Sequence, residues 1–319
     1  MTTIRITGTV QSGSGEDAQP LSLPVAVYEA TQDLPITRGS AVADEFGNFS
    51  IEIKAPASGN IIYAAAFSPR GIALYTVIGP QVQGAIVINE LTTVAAAFAM
   101  AQFALYAIIK GDALALRIAA GMCHNLVSPL TGAASDVMLA SPNRYETNSL
   151  QSLGSLGNVV AACVRGVPGA LEKLKASTPL ANGDLPEDTF QAMVSIALNP
   201  ARNVGDIYDQ TQACDAYTPA LPDQSPPPLD AWTLCVKVND SGDIHRMFGG
   251  PANIAFDKAG YAWVANNVIQ GTPNSAKWIM VLQPDGKPAD GRDGTPVSPI
   301  SGGGILGVGF GVAIAPPDG

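Results

Sequence analysis

The sequence predicts a multidomain α+β protein: a β-sandwich, then an all-α helical bundle, then an incomplete β-propeller of about one and a half blades. Three observations predict this order. Residues 1–88 consist of short apolar runs separated by Gly, Pro, Asn and Asp, which is typical of strands and turns. Residues 89–218 are rich in Ala, Leu and Met and show no alternation. A proline-rich linker at 219–229 then leads into a β-rich end at 230–319.

The first segment has the pattern of a small sandwich of antiparallel strands. Its clearest turn follows Asp44, where Gly47 and Asn48 tolerate the positive φ that a hairpin turn requires. Phe46 and Phe49 flank this turn, and we expect both rings to point into the core. Strands are predicted at residues 4–10, 25–29, 40–44, 48–53, 61–67 and 72–78.

The helical segment is predicted to begin at Asn89, a good N-cap residue followed by an early acid, Glu90. The apolar run 94–109 includes Gln102 and is shorter than the roughly 20 residues that a membrane-spanning helix needs. We therefore predict a buried helix there and no membrane span. Further helices are predicted at residues 113–126, 148–164, 169–176, 187–198 and 201–211.

The last segment carries a weak internal repeat. Residues 254–260 align with 312–319, and the period of about sixty residues exceeds that of common propeller blades. The first copy continues into a strand at Tyr261, whereas the second copy stops at its turn. We therefore expect an unfinished blade with an open sheet edge, and open edges recruit strands from other chains. Strands are predicted at residues 232–238, 253–257, 262–266, 278–283 and 308–315.

The charge of the chain argues against nucleic-acid binding. The net charge is −10, and the 17 Lys and Arg residues are scattered rather than clustered. Phosphate binding requires clustered cations, so we predict no nucleic-acid partner. The chain begins with the polar, β-like residues MTTIRITG, so no signal peptide is visible.

One acidic loop is a candidate calcium site. Asp285, Asp290 and Asp293 lie among three glycines, and calcium favours such oxygen-rich turns. Lys287 and Arg292 reduce the local negative charge, and the order of ligands in an EF-hand is missing. A solvated loop without metal is the alternative.

The four cysteines leave two alternatives open. Cys123, Cys163, Cys214 and Cys235 show no C-x-x-C spacing. In an exported protein, pairing between sequence neighbours would give the disulfides Cys123–Cys163 and Cys214–Cys235. In a reducing compartment, four buried thiols are expected instead.

No complete catalytic constellation is predicted. The two histidines are His124 and His245, which leaves little choice of a catalytic base or of zinc ligands. His124 follows Cys123, but adjacent residues on a helix point about 100° apart and cannot form a hydrogen-bonded nucleophile and base.

The residues GPANIAFD at 250–257, followed by GYAWVANN at 260–267, resemble the NHL-type propeller repeat of streptogramin (virginiamycin B) lyase-like proteins. The continuation IMVLQPDG at 279–286 fits the same blade, and the helical segment is similar to one that precedes such propellers. The resemblance implies catalysis by a histidine and a magnesium-binding acid from later blades, and no such residue can be carried over here. The run ADEFGNFSI at 43–51 resembles the carboxypeptidase-regulatory-like sandwich, usually a non-catalytic module of exported proteins.

These observations favour a non-enzymatic binding, scaffold or assembly protein, exported or at the cell surface, with a protein partner or a second copy as its ligand. Self-association through the open propeller edge is one form of this hypothesis, with the glycine-rich residues 302–311 as a donated strand. The alternative is the N-terminal part of a streptogramin-lyase-like enzyme whose catalytic blades lie beyond residue 319.

Overall fold

The computed structural model describes residues 3–57, 59–82, 84–106, 108–266, 276–305 and 311–315. Within these ranges the chain is a mixed α/β protein with eight α-helices and no sheet closed into a barrel. Three sheets are purely antiparallel, and a fourth contains one parallel pair. The chain divides into two compact units, Met1–Val236 and Lys237–Gly319. The prediction of a mixed α and β chain is confirmed at this level, and the sandwich and the propeller stay predictions.

The first unit contains two four-stranded sheets. In one sheet the strand order is β2-β1-β5, with β8 in parallel beside β1. In the other the order is β4-β3-β6-β7, and all pairs are antiparallel. The strands are β1 (Thr3–Ser12), β2 (Gln19–Pro20), β3 (Pro24–Glu29), β4 (Ile36–Val42), β5 (Asn48–Lys54), β6 (Ile62–Ser68), β7 (Ile72–Gly79) and β8 (Ile86–Ile88).

Alternation explains β5, and helical cover explains β7. In β5 the buried residues Phe49, Ile51 and Ile53 alternate with exposed polar ones, as expected of a strand with one solvated face. Every residue of β7 is buried, because its second face lies against helices. β1 approaches β8 closely at Gly8, where a Cβ atom would lie 2.2 Å from the Ile86 carbonyl oxygen.

The turn before β5 differs in one respect from its prediction. Gly47 has φ 78°, as a turn requires, and Phe49 is buried. Phe46, which we expected in the core, is 67% exposed. The reason is that Asp44 accepts hydrogen bonds from Phe46 N at 2.9 Å and from Asn48 N at 2.7 Å, which places Phe46 at the tip of the turn.

The helices follow β8 directly. Asn89 caps the first of them: its side chain accepts from Thr92 N at 3.0 Å, which confirms the predicted start. The elements of this segment are α1 (Glu90–Ala99), β9 (Ala104–Leu105), β10 (Ile108–Ile109), α2 (Ala113–Leu126), α3 (Asp136–Leu139), α4 (Asn143–Glu146), α5 (Ser149–Val164), α6 (Ala170–Ser177), α7 (Thr189–Leu198) and α8 (Val204–Tyr208).

The prediction of one helix over 94–109 was wrong. α1 ends at Ala99, and a short 3₁₀ turn leads into the hairpin of β9 and β10. Tyr106 has φ 51° in the turn of this hairpin, and Lys110 N donates to Phe103 O at 3.0 Å. The β-branched pair Ile108–Ile109 favours a strand, and a continuous apolar run did not distinguish the two structures.

The boundaries predicted at 88, 218 and 229 mark changes of composition within the first unit. Strand and helix side chains share one hydrophobic core, which extends to Trp232. The proline-rich residues 219–229 pack on α5: Leu221 N donates to Ser155 Oγ at 2.8 Å, and a Cβ atom on Gly154 would lie 2.2 Å from Pro219 O. The predicted strand 232–238 is not formed, because Trp232 is fully buried in this core instead.

In its described part, the second unit contains one antiparallel sheet in the order β11-β12-β13-β14. Its strands are β11 (Pro251–Phe256), β12 (Ala262–Asn266), β13 (Trp278–Leu282) and β14 (Ile300–Ser301). The first three agree with the prediction. Of the predicted strand 308–315, residues 311–315 form no strand, and the others lie outside the described residues.

Candidate functional site

The acidic loop predicted to bind calcium lies between β13 and β14. Asp285 pairs with Lys287, Oδ2 to Nζ at 3.3 Å. Asp290 accepts from Arg292 Nε at 2.6 Å, and these hydrogen bonds hold the pKa of Asp290 below its usual value. The Asp293 side chain lies outside the described residues. The two carboxylates that are described each face a cation, which competes with a metal ion, and the calcium site stays a prediction.

The four cysteines are free thiols in the structure. Cys123 on α2 and Cys163 on α5 are buried, Cys214 is half-buried and Cys235 is exposed. Burial raises the pKa of the Cys123 and Cys163 thiols to about 12. A thiol with a raised pKa carries little thiolate at neutral pH, so burial disfavours nucleophilic chemistry at both residues.

We predict that the native chain reacts with a thiol reagent at two cysteines. Cys235 and Cys214 should react with Ellman's reagent at pH 8, because they are accessible. Cys123 and Cys163 should react only after unfolding in guanidinium. The measurement is the absorbance of released thionitrobenzoate before and after denaturation. If Cys214 and Cys235 form a disulfide in the purified protein, the reaction before denaturation is lost, and reduction restores it.

The two histidines lie in different units of the chain. His124 Nε2 is 2.9 Å from Val77 O, so this ring links α2 to β7. His245 is exposed in the second unit. Among the described residues no group of three His, Cys, Asp or Glu side chains is close enough to hold a metal ion. Over the same ranges, no helix has the length and apolar character that a membrane crossing requires.

A buried acid that the sequence indicated only as part of a helix start connects three parts of the first unit. Glu90 is fully buried at the start of α1, and its Oε2 accepts from Gly13 N at 2.9 Å and from the Tyr217 hydroxyl. Burial, and then the charge of Glu90, raise the pKa of Tyr217 well above its usual value. Glu90 therefore holds the loop after β1 and the segment after α8 against α1, which is a structural role.

The second unit has a different feature: one edge of its sheet carries exposed apolar side chains. Ile254 and Phe256 of β11 are 50% and 57% exposed. They lie opposite Val264 and Ala262 of β12, and so project from the same face of the sheet as those residues. Val264 and Ala262 are buried in the small core of this unit, whereas their partners on β11 are about half exposed.

The hydrogen-bond pattern shows which main-chain groups of β11 are open. Asp257 N donates to Tyr261 O at 3.1 Å, which sets the alternation between β11 and β12. Hydrogen-bonded positions recur at every second residue, so Ala255 exchanges hydrogen bonds with β12. The N–H and C=O groups of Ile254 and Phe256 therefore point away from β12. No described strand pairs with that outer side of β11.

This edge has little of the protection that natural edge strands use. Lysines, prolines and bulges usually block pairing with another chain. Pro251 and a bulge between Pro251 and Asn253 protect only the beginning of β11. Residues 251–256 carry no charged side chain. We define the β11 edge as residues 253–256, the unprotected part of this strand.

The comparisons with known proteins add no relative. No family model, no curated protein and no solved structure matches the chain. The resemblances to the lyase-like propeller and to the carboxypeptidase-regulatory-like sandwich therefore stay expectations from the sequence.

Proposed function

We propose that this chain is a non-enzymatic binding and assembly protein whose second unit accepts a strand from a protein partner at the β11 edge. The observation that carries the proposal is the coincidence of two properties at Ile254 and Phe256. Their main-chain groups point outward, and their apolar side chains are half exposed on one face. Added strands gain affinity from the first property and specificity from the second.

The turn that ends β11 keeps this edge in place. The Asp257 carboxylate accepts from Ala259 N at 2.9 Å, from Tyr261 N at 3.0 Å and from Trp263 Nε1 at 3.0 Å. These bonds fix the hairpin between β11 and β12. A fixed edge loses less conformational entropy on binding than a mobile one, and this favours association.

The resemblance of residues 250–267 to a propeller repeat supports the same proposal, because the blade of a propeller packs against neighbouring blades. The modular order of the chain supports a place outside the cytoplasm or at the cell surface. The alternative of a lyase-like enzyme with catalytic blades beyond residue 319 rests on the resemblance alone, and no contact among the described residues adds to it.

The proposal predicts that the full chain binds an extended peptide at the β11 edge. We expect an octapeptide of alternating valine and threonine to bind with a Kd on the order of 100 µM. Titration of the peptide to about 1 mM against about 1 µM of chain labelled with fluorescein at its N-terminus, followed by microscale thermophoresis, measures it, since dilution keeps the edge unoccupied. Ile254→Lys should abolish binding, because a charge on the edge opposes strand pairing.

The matched control is Val42→Lys. Val42 is 67% exposed at the end of β4 in the other unit, and its substitution changes the net charge equally. It should leave peptide binding unchanged. A second peptide, with proline at alternate positions, should fail to bind. Equal binding by the Ile254→Lys variant, or no binding by the native chain, would contradict the proposal.

A further inference from the structure

We infer that the partner at the β11 edge is a second copy of this chain, bound so that Ile254 of each copy pairs with Phe256 of the other across a two-fold axis. The inference rests on the proposed function, and it specifies the occupant, the register and the number of copies. Each of these follows from a separate feature of the sheet.

The hydrogen-bond pattern limits the register. An added antiparallel strand must place outward-facing residues opposite outward-facing residues, which are Ile254 and Phe256 in each copy. Pairing Ile254 with Phe256 does so twice, and each pair exchanges two main-chain hydrogen bonds. The four side chains then form one apolar cluster on the face that Val264 and Ala262 already occupy.

The opposite face is complementary in the same register. Ala255 meets its own equivalent at the axis, in a non-hydrogen-bonded pair whose Cα atoms lie about 4.5 Å apart. A small side chain permits this approach. Asn253, which is exposed, lies opposite Asp257 of the other copy, so that its amide can donate to the carboxylate. A register shifted by two residues loses both the Ile254–Phe256 pairs and the Asn253–Asp257 pairs. Ile254 then lies opposite either Ile254 or Lys258 of the other copy.

Charge also favours a second copy over a partner of opposite charge. A two-fold axis places each residue near its own equivalent, so a charged strand would repel itself. β11 is uncharged, and the charges of Asp257 and Lys258 after it cancel. The chain as a whole carries −10, so two copies repel at long range while the edge itself does not.

The other edge of the sheet limits the assembly to two copies. β14 contains only Ile300 and Ser301, which is too short to accept a strand of four residues. Pairing of β11 with β11 uses the same surface twice and closes the interface. Donation of the glycine-rich residues 302–311 to β11 of the next copy would instead be a head-to-tail contact, which leaves an open site only at the ends of the assembly and produces a filament.

The first experiment measures the mass of the full chain by sedimentation velocity between about 1 and about 200 µM. We expect a monomer that becomes a dimer, with no larger species. Raising the salt from about 0.05 to about 0.5 M should strengthen association, because it screens the net charge. Ile254→Lys should weaken it at least about tenfold, although that variant is less negative, and Val42→Lys should not.

The second experiment tests the register with cysteines. Cys214→Ser and Cys235→Ser first remove the accessible native thiols. In that background Ala255→Cys should form a disulfide-linked dimer under mild oxidation, because the two Cα atoms lie within disulfide range. Ala252→Cys, three residues from the axis, should not. Circular dichroism of each variant checks that the fold is kept.

The outcomes distinguish failure of this inference from failure of the proposed function. A chain that stays monomeric, with no Ala255→Cys cross-link, while the valine–threonine peptide binds at Ile254, overturns the second copy and keeps the strand-accepting function. Loss of both overturns both. Assemblies larger than a dimer, or a dimer that survives Ile254→Lys, assign the association to another surface and also overturn the inference.

Discussion

Phe190→Ala is expected to destabilise the first unit by about 3–5 kcal/mol, the range for removing a fully buried ring. Phe190 lies on α7 with no exposed surface, and its ring stacks on Tyr75 of β7, with 3.8 Å between the centroids and 12° between the planes. Tyr75 stacks in turn on Tyr63, and Tyr63 on Tyr28. Removing Phe190 leaves a cavity at the end of this column, at the contact between helix and sheet.

The measurement is the free energy of unfolding in urea, followed by circular dichroism. Phe46→Ala is the matched control, because it removes the same ring from an exposed turn. We expect it to change the stability by less than about 0.5 kcal/mol. Equal effects of the two substitutions would show that the ring column does not hold α7 against β7.

Removal of the Glu29 side chain is expected to have the second-largest effect, about 3 kcal/mol for Glu29→Ala. Glu29 is 1% exposed at the end of β3. Its carboxylate accepts from Asn60 Nδ2 at 2.6 Å, from Ala57 N at 3.0 Å and from Arg38 Nε at 2.6 Å. Truncation leaves these donors without their acceptor, and leaving polar groups unsatisfied is more costly than the net value of one bond.

Glu29 also makes the stability depend on pH. Burial alone would raise its pKa, but the hydrogen bonds from Asn60, Arg38 and Ala57 outweigh burial and hold the pKa below the ordinary 4.5. The folded state therefore favours the ionised form. The stabilisation is complete above about pH 4.5 and is lost as the pH falls through the lower, folded-state pKa.

The test is the difference in unfolding free energy between the native chain and Glu29→Gln, measured from about pH 7 to about pH 3. The difference should be constant above pH 5 or so and shrink toward acid, since the glutamine does not titrate. Glu52→Gln is the control: Glu52 pairs with Arg5 at 2.6 Å, but both side chains are exposed. A difference for Glu29→Gln that does not change with pH would contradict the low pKa.

Local patterns predicted the elements that face solvent on one side. The sequence predicted the alternation of β5, the turn at Gly47 and the bounds of α2. In β5 and α2 one face is solvated, and its polar residues give the sequence a recognisable period. α1 is buried nearly all round and has no such period, so its end at Ala99 could not be located. Trp232 was predicted to begin a strand, but it is buried in the hydrophobic core of the first unit, which its local sequence does not indicate.

The candidate site was predictable in kind but not in position. A weak repeat indicated an open sheet edge, and the glycine-rich residues 302–311 favoured a position for this edge near the end of the chain. The exposed edge is instead β11, inside the first copy of the repeat. Exposure of Ile254 and Phe256 depends on which strands lie beside them, and no single strand carries that information.

The shared core of the first unit has a consequence for how the protein is made. β7 is complete at Gly79, yet the ring that covers Tyr75 comes from Phe190, and the acceptor for the Tyr217 hydroxyl is Glu90. During synthesis the finished sheet must therefore wait for more than a hundred further residues to leave the ribosome. Its apolar surface is exposed in that interval, and a chaperone that binds such surfaces would act on the nascent chain before residue 190 emerges.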